Sequence, residues 1–286
     1  MTDETRNRWS RRGLAGAAAL LPAMALATPA AAATAGGEST FERVMRTKKL
    51  RVSALTGELP YFDKDLATGK WTGFANAMAL NIANVFGAEL VYVDATWDTS
   101  VLGLQANKVD LSFALNPTPE RALAIGFSEP IFIHPFGCIA KPGFKPTTWA
   151  EIDKPGLKIA VSVGSLYQTL AKQYAPKATA VGLTSSDACI LAYQSGRADI
   201  VLLAAIPGLA AIGKNPSLGS YAILSDPMIA LPSSLGIQLQ PDTRFRDVLN
   251  AWIDYNGGVG QIRQWVIQGL EQEGVKAEQL PNNLTF

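Results

Sequence analysis

Histidine and cysteine are scarce in this sequence of 286 residues, which has one histidine and two cysteines. A zinc-type site needs several such ligands at short spacings, so a His/Cys metal site is excluded. No histidine–nucleophile pair for covalent catalysis is readable either. Cys138 and Cys189 stand in apolar contexts (PFGCIAK and SSDACILAY) that are typical of buried thiols, although an oxidising compartment would permit a disulfide.

Charge is also low, at 17% Asp, Glu, Lys and Arg with a formal net charge of +1. No run of like charges marks a basic patch or an acidic tail, so the sequence does not indicate nucleic-acid binding. No cofactor-binding motif and no internal repeat is visible. Hydrophobic residues make up 48% of the chain, which is enough to build a substantial core.

The N-terminal segment has the pattern of a secretory signal peptide. Four arginines precede an Ala/Leu-rich stretch that ends in small residues. Pro22 and Pro29 interrupt this stretch, so it would make a poor membrane-spanning helix. We expect residues 1–33 to be removed near Ala33 and the protein to be periplasmic. The pair Arg11 and Arg12 resembles a twin-arginine export signal.

Short apolar runs alternate with amphipathic stretches from residue 50 onward, which predicts strands alternating with helices and hence parallel sheets. One such set covers residues 50–115, and a second set begins near residue 157 after a proline-rich stretch. The tail, residues 243–274, predicts two helices broken at Gly257 and Gly258. Ligands bind at the carboxyl ends of strands in open α/β sheets. The polar turns NPTPER (116–121) and VGSLY (163–167) lie at such ends.

An ordered set of short motifs resembles the family-3 periplasmic solute-binding proteins of polar amino-acid ABC transporters. The motifs are GF at 73–74, LQ at 104–105, KVD at 108–110, TPER at 118–121, FSEP at 127–130, GSLYQTL at 164–170, GRADIVL at 196–202 and GVGQIRQW at 258–265. Each motif is short, but their order over roughly residues 48–268 follows that of the family.

The resemblance implies an α/β fold of the periplasmic-binding-protein-like type II, with two lobes joined by two hinge strands. Lobe one would comprise residues 39–132 and 233–286, and lobe two residues 133–232. It further implies a monomeric binding protein, not an enzyme, that captures an amino acid or a related carboxylate-bearing nitrogenous solute, such as an opine or an ectoine-like compound, and delivers it to an ABC permease.

Arg121 is the candidate ligand-binding residue for which the chemistry is clearest. A planar guanidinium grips a carboxylate through two parallel hydrogen bonds, which lysine cannot do. The resemblance implies that Arg121 holds the ligand's carboxylate with help from Asn116, in the turn that contains Thr118. Opposite it, the helix that begins at Ser165 and Leu166 offers free backbone N–H groups and a positive dipole end. The resemblance also implies that the Ser165 hydroxyl contacts the carboxylate.

The remaining candidates mix matches to the family with departures from it. Trp97 falls where the family has an aromatic wall, and Tyr61 or Phe62 is expected to form the other wall. The family's usual ammonium-binding aspartate is replaced by Ala204. Glu58 stands where many relatives have an aromatic residue, so we expect it to face a cationic or N–H-rich group of the ligand. These departures favour a ligand other than an ordinary α-amino acid.

Other functional interpretations remain open at the level of sequence. An exported cyclohexadienyl or arogenate dehydratase-like enzyme on the same fold is the alternative, although the position of its glutamate corresponds here to Pro207. His134 lies near the first expected crossing and is interpreted as a hinge residue, or else as a pH sensor. Asp110 and Asp199 are interpreted as structural residues at the ends of helix–strand junctions.

Overall fold

The alternation of strands and helices is present throughout the structure, a computed structural model that describes residues 37–286. The expected signal peptide and its cleavage near Ala33 lie outside these residues. The strands are β1 (Lys49–Leu55), β2 (Asp63–Lys64), β3 (Trp71–Thr72), β4 (Glu89–Ala95), β5 (Leu111–Leu115), β6 (Gly126–Ala140), β7 (Lys158–Ser162), β8 (Thr179–Leu183), β9 (Ile200–Ala204), β10 (Ser220–Ile223) and β11 (Ala230–Ile237).

Helices connect most of these strands, as the amphipathic stretches predict. They are α1 (Thr40–Thr47), α2 (Phe74–Val85), α3 (Trp97–Gln105), α4 (Pro119–Ala122), α5 (Trp149–Ile152), α6 (Leu166–Tyr174), α7 (Ser186–Gln194), α8 (Ala205–Lys214), α9 (Arg244–Gly258) and α10 (Gln261–Gln272). None of the helices between residues 37 and 286 is long and apolar enough to cross a membrane.

The strands follow the order β4-β1-β5-β11-β6-β9-β7-β8, and β10 pairs with β6. We call the part from β4 to β6 sheet one, and the part from β6 to β8 together with β10 sheet two. β1 is parallel to β4 and β5, and β7 is parallel to β8 and β9, which confirms the predicted parallel pairing. β11 is antiparallel to both β5 and β6.

β6 is the strand that belongs to both sheets. Its first part pairs with β11, where His134 lies opposite Leu231. Its second part pairs with β9, where Phe136 lies opposite Ala204. The chain therefore passes between the sheets close to residue 135. The division into lobes at 132/133 and 232/233 stays a prediction, since residues 38–286 form one compact unit.

Each sheet has its own buried apolar core. The larger core packs α2, α9 and α10 against sheet one around Phe113 and Phe245, and the other packs α6 and α7 against sheet two around Phe136 and Trp149. Cys138 lies on β6 and Cys189 on α7, and both are buried free thiols. Apolar burial therefore stabilises both sheets independently of a disulfide.

Two helix boundaries differ from the sequence prediction. α9 continues through Gly257 and Gly258, and the break comes at Gly260, which has a φ of +75° that glycine adopts without strain. The amphipathic stretch TSVLGLQANK (99–108) predicts a helix from residue 99, whereas α3 begins two residues earlier at Trp97. Thr96 and Thr99 each accept a hydrogen bond from the other's backbone N–H, which fixes the helix start at Trp97.

Asp110 anchors sheet one to its flanking helix. Its carboxylate is fully buried and accepts hydrogen bonds from the Arg51 backbone N–H at 2.7 Å and from Arg51 Nη2 at 2.6 Å, and it also pairs with Arg43 of α1. Asp199 occupies the equivalent junction of sheet two, but its side chain is 41% exposed and 3.5 Å from Lys141 Nζ. The structural interpretation of both residues thus has a clear basis in their contacts.

We expect Asp110→Asn to lower the free energy of unfolding by about 3 kcal/mol, because it removes a buried carboxylate that pairs with two half-buried guanidinium groups. Urea denaturation followed by circular dichroism measures this loss. Asp199→Asn is the matched control and should cost about 1 kcal/mol or less, since exposed ion pairs contribute little. Equal losses for the two variants would contradict the structural role assigned to Asp110.

Candidate functional site

Arg121 is held in place by the turn that follows β5. Thr118 caps the short helix α4, its Oγ1 accepting a hydrogen bond from the Arg121 backbone N–H at 3.2 Å. Arg121 Nη1 donates to the Asn116 carbonyl oxygen at 3.1 Å. Asn116 Nδ2 in turn donates to the Pro232 carbonyl oxygen on β11 at 2.7 Å. The turn therefore fixes the arginine relative to the strands that pass between the two sheets.

The Arg121 guanidinium reaches across to the loop before α6. Its Nη2 donates to the Gly164 carbonyl oxygen at 2.9 Å. No carboxylate lies within 4.0 Å of it among residues 37–286, so its two protein partners are both neutral carbonyls. Burial lowers the pKa of Arg121, and the charge of the exposed Asp98 opposes that shift. A partly desolvated cation of this kind favours an anionic ligand.

A small cavity lies around this guanidinium, and we call it the cleft cavity. Its lining residues are Tyr61, Trp97, Ala114, Asn116, Arg121, His134, Ser165, Leu166 and Tyr167. Six of the nine predicted site residues are therefore brought together. The volume is ≈ 10 Å³, about what one water molecule requires, so an amino acid does not fit unless the walls move apart.

The N-terminus of α6 forms one wall. The Ser165 hydroxyl donates to the Ser162 carbonyl oxygen at 2.7 Å and does not cap the helix. The first backbone N–H groups of α6 consequently lack a side-chain cap where Leu166 and Tyr167 line the cavity. The predicted contact of the Ser165 hydroxyl with a ligand stays a prediction, and in this structure the hydroxyl is engaged by its own backbone.

Aromatic side chains form most of the remaining wall. The Tyr61 ring packs on Phe74 at 4.8 Å between centroids, and Phe62, the other residue considered for this wall, is fully buried in the core of sheet one. Trp97 is 5% exposed, and its indole N–H is buried without a hydrogen-bond partner. An unpaired buried donor is costly, so this N–H group is available to a ligand oxygen.

His134 also lines the cleft cavity. Neither interpretation drawn from the sequence, a hinge residue or a pH sensor, predicts this position. It is 3% exposed, lies edge-on between Phe132 and Phe136, and its Nδ1 has no partner. Burial lowers the pKa of His134 to about 3, so its imidazole is neutral at ordinary pH. A neutral imidazole carries one N–H group and one bare nitrogen, and can donate or accept a hydrogen bond.

Glu58 does not line the cleft cavity but joins the two sheets beside it. Its Oε1 accepts from the Ser186 backbone N–H at 2.9 Å and its Oε2 from the Ser186 hydroxyl at 2.6 Å, at the start of α7. Next to it, the Asp187 backbone N–H donates to the Gly57 carbonyl oxygen at 3.1 Å. The N–H-rich group expected for Glu58 is thus supplied by the protein itself, and a direct ligand contact stays a prediction.

Burial raises the pKa of Glu58 to about 7. The hydrogen bonds from Ser186 and the proximity of the Trp97 indole N–H oppose this shift, and the charge of Asp187 adds to it. The Trp97 indole N–H lies close enough to influence the carboxylate, although its geometry does not satisfy a hydrogen bond. Glu58 therefore exchanges a proton near neutral pH, next to the cleft cavity.

Thr118 and Ala204 are the other two predicted residues outside the lining. Thr118 acts through its cap on α4, and Ala204 is fully buried at the end of β9, where it precedes α8. A larger groove of ≈ 290 Å³ lies between α7 and α8 and contains none of the predicted residues. Apolar side chains dominate its lining, and it has no arginine, so the cleft cavity remains the candidate site.

Three lining residues escaped the sequence analysis as site residues: Ala114, His134 and Tyr167. Ala114 has a φ of +60°, a left-handed conformation that is strained for alanine and is common at functional sites. Tyr167 stands two residues after Ser165, on the first turn of α6. Its position in the VGSLY turn was the available signal, whereas nothing in the local sequence marks Ala114.

Residues 51–148 match the family described as bacterial extracellular solute-binding proteins, family 3. A cyclohexadienyl dehydratase of Pseudomonas aeruginosa is 26% identical over 252 residues, covering 86% of this chain and 91% of the enzyme. A probable histidine-binding protein of Campylobacter jejuni is 25% identical over 177 residues, covering 61% of this chain and 67% of that protein.

Among solved structures, a solute receptor for L-cysteine of Neisseria gonorrhoeae matches with a TM-score of 0.76 and 18% identity, covering 87% of this chain and 100% of that chain. At this identity the likeness shows the fold alone. The sequence matches confirm the family resemblance, and the structural match confirms the predicted type II fold.

Glu58 and His134 should give the stability of the protein opposite dependences on pH. Folding raises the pKa of Glu58 from 4.5 to about 7, so the folded state holds this proton more tightly and loses stability as pH rises through this window. Folding lowers the pKa of His134 from 6.5 to about 3, so the folded state gains stability as pH rises towards 6.5. We therefore expect the wild-type unfolding free energy to change little between pH 5 and pH 8.

Glu58→Gln removes the titration of Glu58, so the pH dependence of its unfolding free energy should reflect the contribution of His134. Relative to wild type, this variant should gain about 2–3 kcal/mol of stability between pH 5 and pH 8, at about 1.4 kcal/mol per pKa unit. Urea denaturation at several pH values measures both curves. Parallel curves for wild type and Glu58→Gln would show that the Glu58 pKa is not raised by folding.

Proposed function

We propose that this protein, whose residues 51–148 match the bacterial extracellular solute-binding proteins of family 3, is the exported receptor of an ABC importer. In this proposal the protein binds an amino acid or a related carboxylate-bearing solute between its two sheets, in the cleft cavity. It is exported through its N-terminal segment, acts in the periplasm as a monomer and passes the ligand to a membrane permease.

The half-buried guanidinium of Arg121 is the observation that carries this proposal. It lines a cavity together with five other predicted site residues, and its two protein partners are carbonyl oxygens. A bidentate bond to a ligand carboxylate would complete its coordination, and the uncapped start of α6 would add N–H donors to the same anion. The relative in Campylobacter jejuni is itself described as a probable histidine-binding protein.

Ligand entry requires a motion of the two sheets, since the cavity is too small in the form described here. β6 and β11 are the connections that would bend, and the contacts across the cleft would separate. These contacts are Arg121 with Gly164, Glu58 with Ser186, and Gly57 with Asp187. Ligand would dock on Arg121 in an open form, and closure would bring the start of α6 onto it.

A dehydratase-like enzyme is the second candidate, and one observation favours it. The relative with the longest matched segment named above is a cyclohexadienyl dehydratase, and Glu58 holds a proton near pH 7 beside the cleft cavity, as a general acid must. The two oxygens of Glu58 are, however, both engaged by Ser186. Incubation of the purified protein with a cyclohexadienyl acid tests this candidate, and turnover would replace the receptor proposal.

We expect Arg121→Ala to weaken carboxylate binding by about 100-fold or more, because truncating one partner of a buried charge pair costs about 2–5 kcal/mol. Arg121→Lys should retain part of the affinity, since lysine keeps the positive charge but lacks the planar guanidinium that forms two parallel hydrogen bonds. The ligand is first found by a thermal-shift screen of amino acids, opines, ectoines and organic acids, and affinities follow by calorimetry. Undiminished binding by Arg121→Ala would disprove the proposed role.

Closure can be tested at Gly164, where φ is +72° and a Cβ atom would collide with the Asp98 carboxylate across the cleft. Gly164→Ala should therefore displace the Asp98 side chain, disfavour the closed form and reduce ligand-induced compaction in small-angle X-ray scattering. Gly196→Ala is the matched control, because it has a similar φ of +74° and no atom within 4 Å. Equal effects of both variants would assign the loss to backbone strain and not to closure.

A further inference from the structure

The charged and hydrogen-bonding groups that line the cleft cavity favour an anion over a cation. Arg121 is a cation, Trp97 presents an N–H donor without a partner, and α6 begins with uncapped N–H groups. None of the nine lining residues is Asp or Glu. The site therefore has three ways to bind negative charge and no anionic side chain to bind a positive group.

The carboxylates near the cavity, those of Glu58 and Asp98, do not line it. Glu58 lies outside the lining, and its oxygens accept hydrogen bonds from the Ser186 backbone N–H and hydroxyl, so its carboxylate is directed at the start of α7. Asp98 is exposed, lies beside Gly164 and acts on the charge of Arg121 from outside the lining. An ammonium group enclosed in the cavity would lose its water and gain no anionic partner, which is unfavourable.

The neutral polar groups of the cavity suit a different second group on the ligand. The Nδ1 atom of His134 and the indole N–H of Trp97 are both buried and unpaired. Together, an N–H donor and a neutral imidazole match a hydroxyl or carbonyl oxygen, which is uncharged and can accept or exchange hydrogen bonds. The aromatic rings of Tyr61, Trp97 and Tyr167 in the lining suit a compact apolar body.

We propose that the cleft cavity selects a small carboxylic acid whose second polar group is a neutral hydroxyl or carbonyl oxygen, and discriminates against the corresponding amino acid with its free ammonium. Arg121 and the start of α6 hold the carboxylate, and Trp97 and His134 face the neutral oxygen. This inference rests on the proposed receptor function, since it names the class of ligand for the same site.

Matched pairs of ligands test the inference on the wild-type protein. L-alanine is compared with L-lactate and pyruvate, and L-phenylalanine with L-3-phenyllactate and phenylpyruvate, by calorimetry at pH 7. The members of each set share one carbon skeleton and differ in the group next to the carboxylate. We expect the hydroxy or oxo acid to bind at least tenfold more tightly than the amino acid in each set that binds, and Arg121→Ala to abolish that binding.

Two substitutions at Ala114 provide an independent measurement. Ala114 lines the cavity in a left-handed conformation that Asp and Asn tolerate better than alanine. Ala114→Asp adds the missing carboxylate, so it should shift the ratio of affinities at least tenfold towards the amino acid. Ala114→Asn has the same shape without the charge, and it should keep the wild-type order of ligands even if all affinities fall.

The outcomes separate this inference from the function on which it rests. Amino acids that bind as tightly as their hydroxy and oxo counterparts, with a dependence on Arg121, would overturn the inference and leave the receptor function standing. Absence of binding by every carboxylate in the sets and in the wider screen would overturn both. A preference for hydroxy or oxo acids that disappears in Ala114→Asp but not in Ala114→Asn would support the inference.

Discussion

The antiparallel pairing of β6 and β11 is the constraint on which the rest of the molecule depends. β6 contributes to both sheets, and β11 holds it against β5. The pair also positions the site, since Asn116 donates to the Pro232 carbonyl oxygen on β11 and His134 belongs to β6. A strand pair that passes between two cores would let the angle between them change, and α8, which follows β9, links the cores by adding Ile206 and Ala210 to the core of sheet one.

Within this frame, the site is organised by an imbalance of charge. Asp110 forms ion pairs with both Arg43 and Arg51, so these arginines have a carboxylate partner within the fold. Within residues 37–286, Arg121 has carbonyl partners alone. Carbonyl oxygens satisfy part of its donor capacity but leave its net charge uncompensated, and that difference separates an arginine that builds the fold from one that is available to a ligand.

Much of this arrangement could be predicted from sequence because it depends on local patterns. The alternation of apolar runs and amphipathic stretches identified most strands and helices. The polar turns at strand ends contain Asn116, Arg121, Ser165 and Leu166, and the family resemblance added Trp97 and Tyr61. Contacts between the two sheets could not be predicted. Glu58 meets Ser186 across 128 residues and Arg121 meets the Gly164 carbonyl oxygen across 43, and these pairings depend on how two separately folded sheets approach each other. The left-handed backbone conformation of Ala114 could not be predicted either, because an alanine in the sequence does not indicate such a conformation.

The contact between the Gly57–Glu58 turn and the start of α7 is made entirely by protein groups. It stabilises a form whose cavity is too small to admit a ligand. Molecules in that form are removed from the population that can bind, so the apparent affinity falls in proportion to the open fraction. In the proposed receptor, the strength of a bond outside the cavity would thereby set the solute concentration at which the protein responds, and it could be tuned without altering any residue that contacts the solute.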